Sequence, residues 1–366
     1  MLAQGIKIHF AHRTFSWSNE ARGKAAVHCV IIGFGLQDVA DKIIYEYADI
    51  KCEPQAVKAL NINPYLVDAP DLIVEKCRHP ICAVPEMTYG SMPNDGGHLL
   101  FSDTEKDKLL ILKPNAEKWM RKFVMGEELI NSINRWCLWL VDITPNELRA
   151  LPQVLMHVER VKMSRLNSTR ETTRGLASQP SLFGEPRQPK SQYLALPRVS
   201  SENRRYIPIT FLPAEVIAGD KVYTVENATV YHFGIITSTM QMAWMRATAG
   251  RMKSDYSYSN QITYNNFPWP ALQTNIHEPL EACVQAVLDA RAVHANASLA
   301  DLYDLLTMPA NLLKAHQALD KVVDAAYGYK GANTDAARVA ILFERYQQLT
   351  SLLPSLAKPK KIRQAK

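Results

Sequence analysis

GRMKSDYSYSNQITYNNFPWP, residues 250 to 270, gathers cations, an acid, tyrosines, a row of amides and a Pro-Trp-Pro exit into one span that fits neither a plain helix nor a plain core strand. Lys253 and Asp255 are two apart, so in an extended segment their side chains leave on the same face. A cation there can donate to the two major-groove acceptors of guanine while a carboxylate accepts from the amine of the paired cytosine, reading one G·C pair from both strands. A local salt bridge on a loop is the plainer reading of the same spacing. Ser257 joins the pair as a base-reading candidate. Arg246, Arg251, Tyr256 and Tyr258 are candidates for holding phosphates, as are Lys162, Arg165 and Arg205; such contacts set register and carry no sequence information. The run Asn265 to Pro270 is expected to fix the exit of the segment, with prolines pre-setting the backbone and Trp269 packing between domains.

Moving outward, a helix is expected from Thr237 or Ser238 to Gly250, with Met240, Trp244 and Met245 on its core face. Short strands are expected at Tyr206–Leu212, Val222–Val225 and Val230–Phe233. Beyond Pro270 apolar residues recur only at helical spacing, through Leu280, Val284, Val287 and Leu288, then Leu312, Leu319 and Val323, then Val339, Leu342 and Phe343. Pro309 starts one of these helices, Gly328 ends it, and Ser298 to Asp301 is a capping-box signal. His294 and His316 read as satisfied bundle histidines. On the other side, Ser164 to Ser201 reads as a long loop, and Asn115–Leu140 and Pro145–Arg165 as helices, the second capped by Thr144 and Glu147. Residues 50 to 97 read as a connector, and the first 45 as two strands around an exposed loop, with Ala25–Phe34 apolar enough for burial on both faces. The fold class is α+β: a partial sheet edge at 1–48, a connector at 49–88, a mixed α/β domain at 89–268, a helical bundle at 269–355 and a basic tail at 356–366.

The net charge of +6 is unevenly placed: residues 149 to 205 carry 11 Arg or Lys against 4 Asp or Glu, and the tail from Lys358 adds five cations and no acid. Such separation is the footprint of a chain that touches a polyanion, or of a solvated basic face. No apolar run is long enough to cross a bilayer and no secretory signal opens the chain, so a cytoplasmic, membrane-free protein with reduced thiols is expected. Cys77, His79 and Cys82 make an incomplete metal set, and no metal is assigned. Asn61-Ile-Asn63-Pro64-Tyr65 lacks the second proline of the adenine methyltransferase Asn-Pro-Pro-Tyr motif and reads as a decoy. Pro70-Asp71 has no following acid-x-Lys of a nuclease, and Gly33-Phe-Gly35 is too little for a cofactor loop. No catalytic residue is assigned, and the chain is expected to be inactive alone.

Several blocks together carry a resemblance: Phe10–Phe34, NINPYLVDAP (61–70), GEELINSINRWCLWL (126–140), VSSENRRYIPI (199–209), Tyr231–Ser259, YNNFPWP (264–270), SLADLYDLLTMP (298–309) and KAHQALDKVVDAAYG (314–328). They resemble the MmeI-type adenine DNA methyltransferases of restriction-modification systems over nearly the whole chain. The resemblance implies a parent with a nuclease portion, an S-adenosylmethionine-dependent methyltransferase, a target-recognition domain and a helical C-terminal region. It implies that this chain starts after the cofactor loop and the catalytic motif, so that its opening strands are the last pair of the catalytic sheet and it binds no cofactor by itself. Phe15 and Trp17 then fall where such enzymes place a ring against a flipped-out base, either one serving. The resemblance also implies that Lys253 and Asp255 specify one base pair, with guanine on the read strand. Double-stranded DNA is the expected partner, with a separate methyltransferase chain as a second. The function expected is sequence-specific DNA recognition within such an enzyme; a stand-alone non-catalytic specificity subunit and a decayed fragment are the alternatives.

Overall fold

The computed structural model describes residues 4–18, 26–47, 52–271 and 274–351; the basic tail lies outside the described residues. Strands β1 (Lys7–Ser18) and β2 (Ala26–Gly35) form an antiparallel pair, and β3 (Lys42–Glu46) and β4 (Gln55–Ala59) extend it in the order β2-β1-β3-β4. β1 runs through HFAHRTFSWS, so much of the stretch expected to be an exposed loop is strand. The expected burial of β2 on both faces is not observed: Val30, Ile31, Ile32 and Phe34 are between 40 and 52% exposed. The small core of this sheet, Ile8, Ala11, Ile44, Ala59, Ile62 and Leu66, draws on β1, β3, β4 and the turn beyond, and leaves β2 out.

In that turn Asn63 Oδ1 accepts from the amides of Tyr65 and Val67, and Asn61 Nδ2 donates to the Ala69 carbonyl. The Asn-Ile-Asn-Pro-Tyr sequence is thus a built turn. From there the connector crosses the molecule and meets the far end of the 250–270 span. Cys77 and Ile81 donate backbone bonds to Gln261 and Asn265, while the amides of Asn265 and Asn266 donate to the carbonyls of Cys77 and Glu75. The row of amides therefore staples the connector in place, where buried carbonyls need donors.

The middle of the chain holds two four-stranded sheets. One, ordered β11-β9-β13-β5, is made by β5 (Met87–Tyr89), β9 (Tyr193–Pro197), β11 (Thr210–Leu212) and β13 (Val222–Glu226). The other, ordered β12-β7-β8-β6, is made by β6 (Leu100–Phe101), β7 (Met120–Val124), β8 (Trp136–Leu138) and β12 (Ile217–Ala218). The second sheet overturns the helix expected at Asn115–Leu140: Met120, Phe123 and Val124 satisfy helical spacing, yet pairing with β8 and β12 wins. Helices α1 (Asp103–Leu112) and α2 (Gly126–Asn131) flank it, and α2 stops at the left-handed Ser132 (φ +55°). The helix expected at Pro145–Arg165 is split into α3 (Pro145–Arg149), with the Thr144–Glu147 capping box, and α4 (Pro152–Leu166). The expected loop at 164–201 contains α5 (Glu171–Gly175) and β9, and ends at β10 (Val199–Ser200).

Val230–Phe233 is not a strand but the start of α6 (Val230–Ile236), reciprocally capped by Thr229 and His232. A short β-branched and aromatic run cannot be separated from a buried helix by periodicity, and here helix–helix packing decides. Gly234 shows it: a Cβ there would lie 2.7 Å from Val284 Cγ2. Next comes α7 (Thr239–Thr248), capped by Ser238, with Met240, Trp244 and Met245 in the core as expected. The hairpin β14 (Gly250–Met252) and β15 (Asp255–Ser257) pairs with β10, and one π-helical turn at Asn260–Tyr264 leads to the Pro-Trp-Pro exit.

The closing bundle is α8 (Thr274–Ala292), α9 (Leu299–Leu302), α10 (Ala310–Ala326) and α11 (Asp335–Thr350). Ser298 and Asp301 make the expected capping box, and Gly328 takes a positive φ just past α10. Buried His316 bonds to the Tyr303 hydroxyl, and His294 bonds to Asn311. One core joins this bundle to the β11-β9-β13-β5 sheet: Trp244 meets Phe343 at 5.4 Å and Tyr346 at 5.9 Å between ring centroids, and Trp269 packs against Tyr231, His232, Tyr264 and Phe267. A second core lies around β6, β7, β8 and α4. The mixture of sheets and helices is the α+β class expected from the sequence.

Candidate nucleic-acid interface

The 250–270 span divides in two: Gly250–Ser257 is a protruding hairpin, whereas residues 263–270 are buried. Met252 faces Asp255 across the hairpin, leaving Lys253 and Ser254 as a two-residue turn. Lys253 has φ +57°, left-handed backbone that costs a non-glycine residue roughly 1–2 kcal/mol. The two residues thus do not leave one face of an extended strand, as their spacing suggested: exposed Lys253 occupies the tip and half-buried Asp255 the strand behind it. Asp255 Oδ1 accepts from the amide of Glu202, 3.3 Å away. Ser257 is half-buried, its backbone matched with Gly250 and Val199.

Arg251 lies over the Tyr256 ring at 3.8 Å, donates to the Ser254 carbonyl and sits 3.6 Å from the Glu202 carboxylate. His28 Nδ1 of β2 lies 3.9 Å from the same carboxylate. Arg246 pairs with Asp335 at 2.8 Å and also donates to the Arg204 carbonyl. Arg246, Arg251 and Tyr256 line one cleft of about 690 Å³, together with Arg13, Tyr47 and Asn203. The charges of this cleft are matched, with Arg13 on Glu46, Arg251 on Glu202 and Arg246 on Asp335. Partly exposed pairs of this kind are worth about 0–1 kcal/mol.

Phe15 adjoins the cleft through Tyr47, on which it stacks at 5.3 Å, while Tyr47 also bonds to His12 Nδ1. Trp17 is half exposed. Arg205 is exposed in a neighbouring cleft that shares Arg246 and Asp335, and Lys162 is exposed on α4. Two candidates are corrected by their placement. Arg165 is 1% exposed, and its guanidinium donates to the carbonyls of Pro93, Asn94, Leu176, Gln179 and Leu182, which makes it a core clamp with no face for a phosphate. Tyr258 is buried as well; its hydroxyl accepts from Gln241 Nε2, and burial pushes its pKa well up.

Tyr47, Glu202, Asn203 and Asp335 were not singled out from the sequence. Glu202 and Asn203 fall inside the VSSENRRYIPI block, which was the available signal; Asp335 belongs to the bundle and had none. Among the described residues no group of three or more His, Cys, Asp or Glu is placed to hold a metal ion, and the Cys77 thiol donates to the His79 carbonyl. Gly33 and Gly35 lie within β2 rather than at a strand-to-helix turn, so they do not fit a nucleotide cofactor loop. No helix of the described residues is long and apolar enough to cross a membrane.

A strip of sheet, an α+β body carrying an exposed hairpin over a cleft, and a helical bundle sharing its core make a chain of several parts. The family model for the MmeI target recognition domain matches residues 68–271, over half of the chain, and those for the MmeI C-terminal domain and the MmeI DNA-methyltransferase domain match 273–354 and 1–46. The chain belongs to the MmeI family. It is similar to DNA methyltransferase A of Bacillus subtilis (strain 168), 36% identical over 346 residues, covering 94% of this chain and 39% of that protein. It is also similar to the solved structure of the type IIL restriction-modification enzyme MmeI in complex with DNA, with a TM-score of 0.86 and 51% identity over 96% of this chain and 47% of that one. The chain spans less than half the length of both relatives.

Proposed function

We propose that this chain reads a short asymmetric site in duplex DNA, as the recognition portion of an adenine-specific DNA methyltransferase of a restriction-modification system. What carries the reading is the hairpin Gly250–Ser257, exposed beside a cleft lined by Arg246 and Arg251, inside the span matched by a target-recognition model. Lys253 and Asp255 read a G·C pair, Ser257 lies next to them, and Arg246, Arg251 and Arg205 hold phosphates. The division proposed is sheet edge 1–48, connector 49–88, recognition domain 89–268 and helical domain 269–355.

Methyl transfer belongs to the parent enzyme, with S-adenosylmethionine held by residues other than those described here. The exposed apolar strand β2 supports this: a strand with side chains such as Val30 and Ile31 on both faces needs a layer on each side, which the body of a methyltransferase domain supplies. The same strand supports a second reading, in which the chain is a specificity subunit and that body is a separate polypeptide.

Selection from a randomised duplex pool tests the proposal. A single short motif, bound less tightly as salt rises, is the expected result; recovery of no motif, with binding indifferent to sequence, would refute it. Methyl transfer by residues 1–366 alone would show that the catalytic site lies within this chain.

A further inference from the structure

Beside the cleft at the hairpin lies a second one of about 530 Å³, and the two share Arg246 and Asp335 as a common wall. It runs between the segment carrying Arg205, α7, α10 and the start of α11. Each carboxylate in it is already satisfied. Asp324 takes a two-pronged grip from Arg338 at 3.1 and 2.8 Å, and Asp335 holds Arg246. Asp320 accepts the Tyr206 hydroxyl and the Thr239 amide, both at 2.7 Å. Asn333 spends its side-chain oxygen on Arg338, which leaves its amide nitrogen free to donate. What remains are the exposed side chains of Arg205 and Lys321.

Resting on the duplex-recognition reading above, we infer that Lys321 of α10 and Arg205 form a second phosphate-holding end to this trench, through which the helical C-terminal region itself grips the DNA backbone. An anion entering there meets two cations whose own carboxylate neighbours are engaged, and amide donors beside them. A point-charge lysine and a forked arginine suit a phosphate and carry no base specificity.

The test is the salt dependence of binding by the full chain to two unrelated 30-base-pair duplexes, between 50 and 200 mM salt. Each lost phosphate contact lowers the slope of log K against log salt by about 0.9, so Lys321→Gln with Arg205→Gln lowers it by about 1.8. The wild type then loses about 12-fold more affinity over that range than the double variant. Each single variant should show half the change in slope, equally on both duplexes, while Lys314→Gln, on α10 but outside the cleft, leaves the slope alone. An unchanged slope in the double variant, or a change on one duplex only, overturns the inference while the duplex-recognition reading stands. Absence of duplex binding by the wild type removes that reading, and the inference with it.

Discussion

Replacing Arg165 with Met separates a structural arginine from a DNA-binding one. Met keeps an aliphatic stem of similar reach and removes the five donors that bridge Pro93 and Asn94 to Leu176, Gln179 and Leu182 at 2.7 to 3.2 Å. Counting each orphaned carbonyl at about 1–3 kcal/mol gives roughly 5–15 kcal/mol, an upper bound, because entering water and the carbonyls' other contacts recover much of it. Breaking a buried hydrogen-bond network belongs to the changes with the largest costs, and about 3–5 kcal/mol is the value expected here. At about 2–4 °C per kcal/mol for a domain of this size, the melting temperature falls by roughly 6–20 °C. Arg165→Lys should not restore it, since three donors on a point charge cannot serve carbonyls on separate segments. The assay is thermal unfolding followed by circular dichroism, with duplex binding measured on folded protein. A melting temperature within about 1 °C of wild type, together with weaker binding to every duplex, would show that Arg165 reaches DNA and that its burial has been misread.

Exchanging the charges at the hairpin, Lys253→Glu with Asp255→Arg, is expected to change the base pair preferred in a selected site; an unchanged motif would remove the pair from the reading role. The Glu147 carboxyl is held at about 2 by Lys118 and then by Thr144, so it favours the folded state fully above the ordinary glutamate range and loses that effect as pH falls towards about 2. Lys118→Met should move that titration upward in carboxyl NMR, and an unmoved midpoint would contradict the assignment. Gly234→Ala drives a methyl into Val284 and should cost about 1–3 kcal/mol in denaturant unfolding; a neutral result would show that α6 and α8 can part at that crossing.

The elements most legible in the sequence were those marked by local chemistry. Ser238, Thr144 and Ser298 announce helix starts through side chains that bond their own backbone, and Gly328 announces a stop by tolerating a conformation others resist. Residues 120–138 were misread because Met120, Phe123 and Val124 fit two periodicities, and only pairing with distant strands chooses between them. At the interface, composition found the hairpin arginines but could not tell Arg251 from Arg165. Each is a basic residue with no sequence mark of burial, and what divides them is five carbonyls up to 72 positions away from Arg165 in sequence. Asp335 was invisible for the same reason: its partner, Arg246, is 89 residues upstream.

The shared core of Trp244, Phe343 and Tyr346 bears on how the proposed DNA-reading role can be transplanted. A chimera cut at the Pro-Trp-Pro junction would set one parent's α7 against another parent's α11 and leave mismatched aromatic surfaces where each had been fitted to its own neighbour. Grafts that exchange the hairpin alone, or that carry both halves across together, keep that fit intact.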